Sequence, residues 1–292
     1  MDTVRVGAAL GPPADREGPG GASPAPTATR TSPEIWGILN VTPDSFSDGG
    51  RFLDPAAAVA RGLALAQDGA HVVDLGGEST RPGAAPVPAD EERARVLPVI
   101  RGLVRAGIRV PLSVDTTKAA VADAALAEGA SIVNDVSAWS DPGMLRTAAS
   151  RGAGIVLMHR QGGPATMQQD PRYGDVVAEV LAFLLDRRRS AIEAGIPAAR
   201  TWIDPGLGFG KNLEHNLALL ESLEQFTATG APVLLGASRK AFLGALSGKD
   251  VGERLAGSLA AAARAREAGV AAVRVHDVRE TRDLFRALDS VG

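Results

Sequence analysis

The sequence predicts a (β/α)₈ barrel, and three features of its pattern indicate that fold. From Ile35 onward, short apolar runs alternate with amphipathic helical stretches, and this unit recurs eight times. The runs are apolar on both faces, which is typical of strands in a parallel sheet. The chain has 292 residues, and such barrels commonly form one domain of about 250 residues. An open doubly wound sheet is the alternative, but eight units without a GxGxxG turn after the first strand favour the barrel.

The elements follow from these runs and from their boundary residues. Proline in the first turn opens one helix, and glycine directly follows the end of several others. The predicted strands are 35-IWGILN-40, 71-HVVDLGG-77, 110-VPLSVDT-116, 131-SIVNDV-136, 154-GIVLMH-159, 201-TWIDPG-206, 232-PVLLGAS-238 and 271-AAVRVHD-277. The clearest predicted helices are 55–69, 118–130, 175–195 and 253–269.

Composition excludes several classes of function. The formal net charge is −3 and no basic tract is present, so broad neutralisation of nucleic-acid phosphates is not expected. The absence of cysteine excludes disulfides, zinc–thiolate sites and cysteine nucleophiles. It fits a reducing compartment, and we expect a cytoplasmic protein. No apolar segment is long enough to span a membrane or to form a signal-peptide core, so no membrane partner is expected.

The first 33 residues differ from the rest because Gly, Ala, Pro, Ser and Thr dominate them. We expect residues 1–33 to form a low-complexity, flexible tail and residues 34–292 to form the barrel domain. An ordered arm laid on the barrel is the alternative for the tail.

Polar residues end the predicted strands, and in a barrel these ends converge on one mouth. They are Asn40, Glu78, Ser79, Thr80, Arg81, Asp115, Asn134, Asp135, His159, Asp204, Ser238, Arg239, Lys240, Arg274 and His276. Among them, Asp115, Asn134 and Asp204 follow apolar strands, and burying carboxylates costs several kcal/mol unless partners are supplied. Two carboxylates and an amide suit a flat ligand with several N–H donors, such as an amino-substituted heterocycle. The alternative for each of these three residues is a structural cap or a helix N-cap.

Cations follow strands 2, 7 and 8, and barrels commonly bind phosphate after strands 7 and 8. Strand alternation places Arg274 and His276 on the same side of strand 8. Asn40 ends the neighbouring strand 1 and is the candidate ligand for a Mg²⁺ ion that accompanies phosphate. No Ser–His–Asp, Cys–His or HExxH arrangement is present. The mouth is therefore suited to holding and orienting two ligands.

Eight segments carry a resemblance to a known family, in that family's order. They are 40-NVTPDSFSDGG-50, 76-GGESTRPGA-84, 113-SVDT-116, 132-IVNDVS-137, 157-LMHRQGGPATMQ-168, 204-DPGLGFGK-211, 236-GASRK-240 and 274-RVHD-277. On these segments the chain resembles the dihydropteroate synthases, folate-pathway enzymes and sulfonamide targets. The resemblance implies a (β/α)₈ barrel that joins p-aminobenzoate to 6-hydroxymethyl-7,8-dihydropterin diphosphate. It also implies Mg²⁺ as cofactor and a homodimer.

The resemblance assigns roles to individual residues. It implies that the pterin is held by Asp115, Asn134, Asp204 and Lys240. It implies that the diphosphate is held by Asn40, Thr80, Arg274 and His276, with Asn40 also at the metal. Phe46, Thr80, Pro82 and Phe209 are expected around p-aminobenzoate. The residues expected to carry catalysis are Asp48, Arg81, Lys240, Arg274 and His276.

The loop after strand 1, residues 41–50, is expected to act as a lid. Gly49 and Gly50 supply hinge freedom, and Asp48 can pair with Arg81 when both loops close. Phe46 would then cover the second substrate; the alternative is that it packs on a neighbouring helix. Such closure would exclude water during a dissociative displacement of diphosphate.

One position departs from the family pattern, and two other functions compete. Ala241 follows Lys240 where many members carry Ser or Arg, so a side-chain hydrogen bond near the p-aminobenzoate carboxylate cannot form. This predicts weaker second-substrate binding or altered sulfonamide affinity. The competing functions are methyl transfer from a folate by a related pterin-binding barrel, and pterin binding without catalysis. The small-residue helix 253–269 suits packing on a partner subunit or on its own barrel equally well.

Overall fold

The structure is a computed structural model that describes Met1 and residues 32–42, 54–79, 84–163 and 165–291. Its eight strands are all parallel and form one sheet in the order β6-β5-β4-β3-β2-β1-β8-β7. A bridge between Ile203 and Val233 joins the two edges, so the sheet closes into a barrel. The strands are β1 (Glu34–Asn40), β2 (Val72–Gly76), β3 (Leu112–Asp115), β4 (Ile132–Asp135), β5 (Gly154–Met158), β6 (Thr201–Asp204), β7 (Leu234–Leu235) and β8 (Ala272–Val275). The predicted (β/α)₈ fold is confirmed.

Helices follow the strands and surround the barrel. They are α1 (Pro55–Asp68), α2 (Ala89–Arg105), α3 (Ala119–Ala127), α4 (Met144–Ser150), α5 (Val176–Glu193), α6 (Leu213–Glu221), α7 (Leu223–Thr227), α8 (Ala241–Ser247), α9 (Leu255–Glu267) and α10 (Val278–Val291). Helix α1 begins where the sequence predicts, because Asp54 caps the amide of Ala56 and proline occupies the first position. It ends at Gly69, whose φ of 112° is left-handed. Among the described helices, none combines the length and apolar character needed to cross a bilayer.

Strand β7 is shorter than the predicted 232–238, because only Leu234 and Leu235 pair as a strand. Pro232 has no N–H to donate, which limits ladder pairing at the start of this segment. The residues that follow leave the sheet and lead directly to Lys240.

Alternate residues of the strands fill the barrel interior in layers. The lower layer is apolar and includes Trp36, Val72, Ile132, Val156, Leu234 and Ala272. Trp36 packs edge-on against Trp202, with ring centroids 5.3 Å apart. Two residues further toward the carboxyl ends of β2, β4 and β8, the interior positions are polar: Asp74, Asn134 and Arg274. The closed apolar layer therefore forms the floor beneath the polar mouth.

Helix α9 buries Ser258, Ala261, Ala262 and Ala265 and packs beside α10 and β8. Its small-residue face thus serves close packing within this chain. Just before β1, the Ser32 hydroxyl donates to Asp289 of α10 at 2.8 Å and accepts from Arg266 of α9 at 3.2 Å. Residues 2–31 of the predicted tail lie outside the described residues, and the expected flexibility of the tail stays a prediction.

Candidate active site

The mouth of the barrel collects the predicted polar residues because the strands are in register there. Asn40 pairs with Gly76, Gly76 with Asp115, and Asp115 with Asn134, so four adjacent strands place these positions in one row. A Cβ at Gly76 would lie 3.7 Å from the Asp115 Cβ and 3.8 Å from Asn40 Oδ1. Glycine at this position leaves space between the two polar side chains. The convergence predicted from strand ends is therefore present on β1 to β4.

A buried ion cluster lies at the centre of this row. Arg274 on β8 donates from Nη2 to Asp115 Oδ2 at 2.6 Å and from Nε to Asp74. Asn134 Nδ2 also donates to Asp74 Oδ2, at 3.1 Å. Burial alone would lower the pKa of Arg274, but the charges of Asp74 and Asp115 outweigh it and raise that pKa. The guanidinium thus stays charged and holds the two carboxylates together.

Asp74 is a central residue that the sequence analysis missed. It is fully buried in the middle of β2 and connects Arg274 to Asn134. The signal was available, because a lone carboxylate interrupts the apolar run 71-HVVDLGG-77. Asp74 lies one layer deeper in the barrel than the strand ends, so a search of strand ends does not find it.

The carboxylates retain unused acceptor capacity. Within the described part of the chain, Asp74 Oδ1 and Asp115 Oδ1 are buried without a hydrogen-bond partner. Burial raises the pKa of Asp115 although Arg274 opposes the shift, and burial likewise raises the pKa of Asp204. Unpaired buried acceptors are costly in an empty site and gain most from a ligand that brings N–H donors.

Lys240 and Asp204 form the opposite wall. Asp204 ends β6, and its Oδ1 accepts the amide of Gly206 at 2.7 Å. Lys240 Nζ donates to the carbonyl of Leu207 at 2.6 Å and lies 3.9 Å from the centre of the Phe209 ring. Burial lowers the pKa of Lys240 to about 7, although Asp204 acts in the other direction. Lys240 is therefore a partly buried donor between an acidic and an aromatic neighbour.

His276 is anchored by the end of β7. Its Nδ1 lies 3.1 Å from the Ser238 hydroxyl, and that hydroxyl accepts the His276 backbone amide at 3.2 Å. When the hydroxyl donates to Nδ1, the ring carries its proton on Nε2. The neighbouring Arg239 is paired with Asp277. His276 stays the residue predicted to contact the diphosphate at this edge of the mouth.

The donor set allows a test of the expected metal. Within the described residues, no group of three or more His, Cys, Asp or Glu side chains is placed to hold an ion. Asn40 Oδ1 offers one neutral oxygen beside Asp115. That set fits Mg²⁺, which usually keeps water and phosphate oxygens and takes only one or two ligands from the protein. It does not fit a cation that needs a cage made wholly of protein ligands.

Five predicted site residues lie outside the part of the chain that the structure describes: Phe46, Asp48, Thr80, Arg81 and Pro82. Their roles stay predictions. Ala241 is described and begins α8 directly after Lys240. Its expected effect on the second substrate is likewise still a prediction.

Comparison with known proteins agrees with this geometry. Residues 36–276 match the sequence profile of the family described as "Pterin binding enzyme". Dihydropteroate synthase of Escherichia coli strain K12 is 45% identical over 258 residues, which span 88% of this chain and 91% of that protein. Xanthomonas albilineans dihydropteroate synthase with 4-aminobenzoic acid superposes with a TM-score of 0.83 at 49% identity, covering 89% of this chain and 93% of that one.

The same Xanthomonas albilineans enzyme in complex with 7,8-dihydropteroate gives a TM-score of 0.80 at 45% identity, covering 90% of this chain and 95% of that one. Each comparison therefore spans the barrel and nearly the whole of the known protein. Together with the polar mouth, they show that the chain belongs to the pterin binding enzyme family and, within it, to the dihydropteroate synthases.

Proposed function

We propose that the chain joins 6-hydroxymethyl-7,8-dihydropterin diphosphate to p-aminobenzoate and releases diphosphate and 7,8-dihydropteroate. The observation that carries the proposal is the buried, unpartnered Asp115 Oδ1 beside Asn134 at the mouth. A pterin edge presents several N–H donors and one carbonyl acceptor. Asp115, Asn134 and Asp204 can take the donors, and Lys240 can donate to the carbonyl.

Arg274 would connect the two halves of the first substrate. Its guanidinium holds Asp115 in the pterin subsite and belongs to β8, the side on which the diphosphate is expected. His276, with a proton on Nε2, would donate to the leaving oxygens. Positive groups fixed in place before reaction stabilise charge that develops in the transition state.

Asn40 would supply the protein oxygen to Mg²⁺ at the diphosphate. The ion, when bound, would neutralise part of the charge on the leaving group. The chain's own contribution is to hold the diphosphate with Arg274 and His276 and to orient its bond to the pterin.

The proposed displacement is dissociative. The bond between the exocyclic methylene carbon and the diphosphate oxygen breaks first, and its electron pair leaves with diphosphate. The pterin ring stabilises the resulting cation, and the aniline nitrogen then forms the C–N bond and loses a proton. Such a cation reacts with any water present, so the site must be closed. Phe46, with Asp48 paired to Arg81, is the proposed closing element.

The second substrate is proposed to lie against Phe209, Thr80 and Pro82, next to Lys240. Of these, Phe209 is described; it lies in an apolar cluster with Val136, Met158 and Met167. An apolar wall beside a partly buried lysine suits an aromatic ring that carries a carboxylate.

The decisive measurement is diphosphate release with each substrate alone and with both together. Release that requires both pterin diphosphate and p-aminobenzoate is the expected result. Pterin binding without turnover would point to a non-catalytic paralogue, and methyl transfer from a folate would point to the related barrel enzymes; either result overturns the proposal.

We further propose a cytoplasmic homodimer that binds neither nucleic acid nor membrane. The family resemblance supports the dimer, and the lack of cysteine fits a reducing compartment. Sedimentation equilibrium on the full chain tests the assembly, and a monomer at micromolar concentration would contradict it.

A further inference from the structure

The loop between β6 and α6 has an unusual arrangement of hydrogen bonds. From Leu207 to Lys211, five successive backbone carbonyls each accept a hydrogen bond from a side chain. The pairs are Lys240 Nζ to Leu207 O at 2.6 Å, Gln168 Nε2 to Gly208 O at 2.5 Å, Lys211 Nζ to Phe209 O at 3.1 Å, Tyr173 Oη to Gly210 O at 2.8 Å and Asn216 Nδ2 to Lys211 O at 3.3 Å. Surface loops often leave such groups to water. Here side chains determine the shape of the loop.

Glycines bring this loop directly against the segment that follows β5. Gly206, Gly208 and Gly210 have φ values of 68°, 79° and 64°. A Cβ at Gly206 would lie 2.0 Å from the carbonyl oxygen of His159, and one at Gly210 would lie 2.3 Å from that of Gln161. The two backbones therefore touch with no room for side chains between them.

Lys211 links the two segments. Its side chain is buried, and its Nζ lies 3.0 Å from His159 Nδ1, 3.4 Å from His159 O and 3.1 Å from Phe209 O. Burial lowers the pKa of Lys211 to about 7, although Asp204 opposes the shift. In its ammonium form the group has three N–H donors, and three acceptors surround it. When Lys211 donates to Nδ1, His159 is the neutral tautomer with its proton on Nε2. Burial and the charge of Lys211 both favour that neutral ring and lower the pKa of His159 to about 3.

Contacts with α5 and β6 fix the position of His159. Its ring packs edge-on against Phe183 of α5 at 5.0 Å, and its backbone amide donates to Asp204 O at 3.0 Å. A fixed ring keeps Nδ1 at a fixed place. The chain of contacts thus runs from α5 through His159 and Lys211 to the carbonyl of Phe209.

We propose that Lys211 and His159 are positioning residues that set the Phe209 wall of the second-substrate subsite. The inference rests on the proposed function. It concerns mainly the second substrate, because Asp115, Asn134 and Asp204 are carried by strands, whereas the Phe209 backbone depends on this loop. Lys240 contacts the loop only through Leu207 O. Lys211 Nζ donates to His159 and to Phe209 O and so has no N–H left for a substrate. It therefore affects the second substrate only by positioning Phe209.

The first test compares Lys211→Met with Lys249→Met in the full-length protein. Lys249 is an exposed lysine beyond α8 and serves as the matched control. Lys211→Met is expected to raise the KM for p-aminobenzoate roughly tenfold or more, since small misplacements of positioning groups are costly. The Kd of pterin diphosphate, measured by calorimetry, should change much less, because Asp115 and Asn134 lie on strands and Asp204 ends β6. Amide hydrogen exchange at residues 206–211 should increase, a readout that does not depend on turnover.

The second test separates the acceptor of His159 from its ring. His159→Phe keeps a ring against Phe183 and removes the acceptor, so its KM for p-aminobenzoate should rise as in Lys211→Met. His159→Asn places an amide oxygen near the Nδ1 position and should bring the KM back toward the wild-type value.

Two outcomes would overturn the inference. One is an unchanged KM for p-aminobenzoate in Lys211→Met. The other is a loss of pterin affinity as large as the rise in the KM for p-aminobenzoate, which would mean that the whole mouth had collapsed. A wild-type protein that releases no diphosphate would instead overturn the proposed function, while the exchange of residues 206–211 would still report on Lys211.

Discussion

At the scale of single residues, Arg274 has both a structural role and a proposed catalytic role. It is the partner of two buried carboxylates, Asp74 and Asp115, and it is also proposed to face the diphosphate. Removing one partner of a buried ion pair costs about 3–5 kcal/mol because the other charge stays buried. Replacing Arg274 would therefore lower stability and catalysis together, and His276 offers the cleaner test of the diphosphate subsite.

His276→Ala should reduce kcat roughly a hundred- to a thousandfold, the usual loss when one preorganised donor to developing charge is removed. Binding of a pterin that lacks diphosphate should stay unchanged, because His276 contacts Ser238 and lies outside the carboxylate cluster. Steady-state kinetics and calorimetry measure the two effects. His71 directly precedes β2, at the end of the barrel away from the mouth, and its Nδ1 accepts the Ile35 amide at 3.0 Å. His71→Ala therefore controls for the loss of a hydrogen-bonded histidine outside the site. Equal losses in turnover and in pterin affinity would rule out the diphosphate role.

Asp204→Asn should weaken pterin diphosphate binding roughly ten- to a hundredfold, because a charged acceptor is replaced by an amide that presents a donor to a donor. One carboxylate oxygen is already used by Gly206, so rotation of the amide cannot satisfy both contacts. Calorimetry gives the Kd. Asp186→Asn, on an exposed face of α5, should bind like the wild type. An unchanged Kd for Asp204→Asn would remove this residue from the pterin subsite.

At the scale of elements, an ion triad joins the segments that follow β2 and β3. Lys118 Nζ contacts Glu78 Oε2 at 2.5 Å and Glu92 Oε2 at 2.6 Å. Glu92 is fully buried on α2, and Glu78 also accepts the amide of Val87 at 2.9 Å. The triad fixes where the chain leaves β2 and where it enters α2.

Glu92→Gln should lower the free energy of unfolding by about 1–3 kcal/mol, since Lys118 loses a charged partner inside the protein but keeps Glu78. Urea denaturation followed by circular dichroism measures the change. Glu91→Gln removes a half-exposed carboxylate from the same helix and should change stability by less than about 0.5 kcal/mol. Equal shifts in the two variants would show that burial of the triad contributes nothing.

The buried His159 should make stability depend on pH. Its pKa is lowered to about 3 in the folded protein, whereas an unfolded histidine titrates near about 6.5. Between these values the unfolded chain binds the extra proton, so acidification favours unfolding by up to about 1.4 kcal/mol per pH unit. His159→Asn removes this contribution. Urea titrations from pH 6.5 down to 4.5 should show a steeper decline for the wild type, and parallel curves would contradict the assignment.

At the scale of the whole molecule, the barrel is expected to stand without the first thirty residues. Deleting residues 1–30 keeps Ser32 and its contacts to Arg266 and Asp289. Melting temperature and turnover should therefore stay close to those of the full chain. Differential scanning calorimetry and the diphosphate assay check this. A clear fall in either value would show that the segment is an ordered arm.

Much of the architecture could be predicted because it depends on local pattern. Apolar runs near the length of β1 or β2 and a capped helix such as α1 are properties of neighbouring residues, and parallel strands place their carboxyl ends at one mouth. Asp115, Asn134 and Asp204 were therefore accessible from position alone. Asp74 was not, because its importance comes from Arg274, two hundred residues away in sequence.

The sequence by itself thus determined the barrel, the polar mouth and the family, since periodicity and ordered motifs need no knowledge of contacts between distant residues. Tertiary structure decided which charges neutralise one another: Arg274 with Asp74 and Asp115, and Lys118 with Glu78 and Glu92. It also decided that Lys211 faces His159 and the carbonyl of Phe209. The physical reason is burial, because a charge removed from water must find partners, and only the folded chain brings those partners within reach.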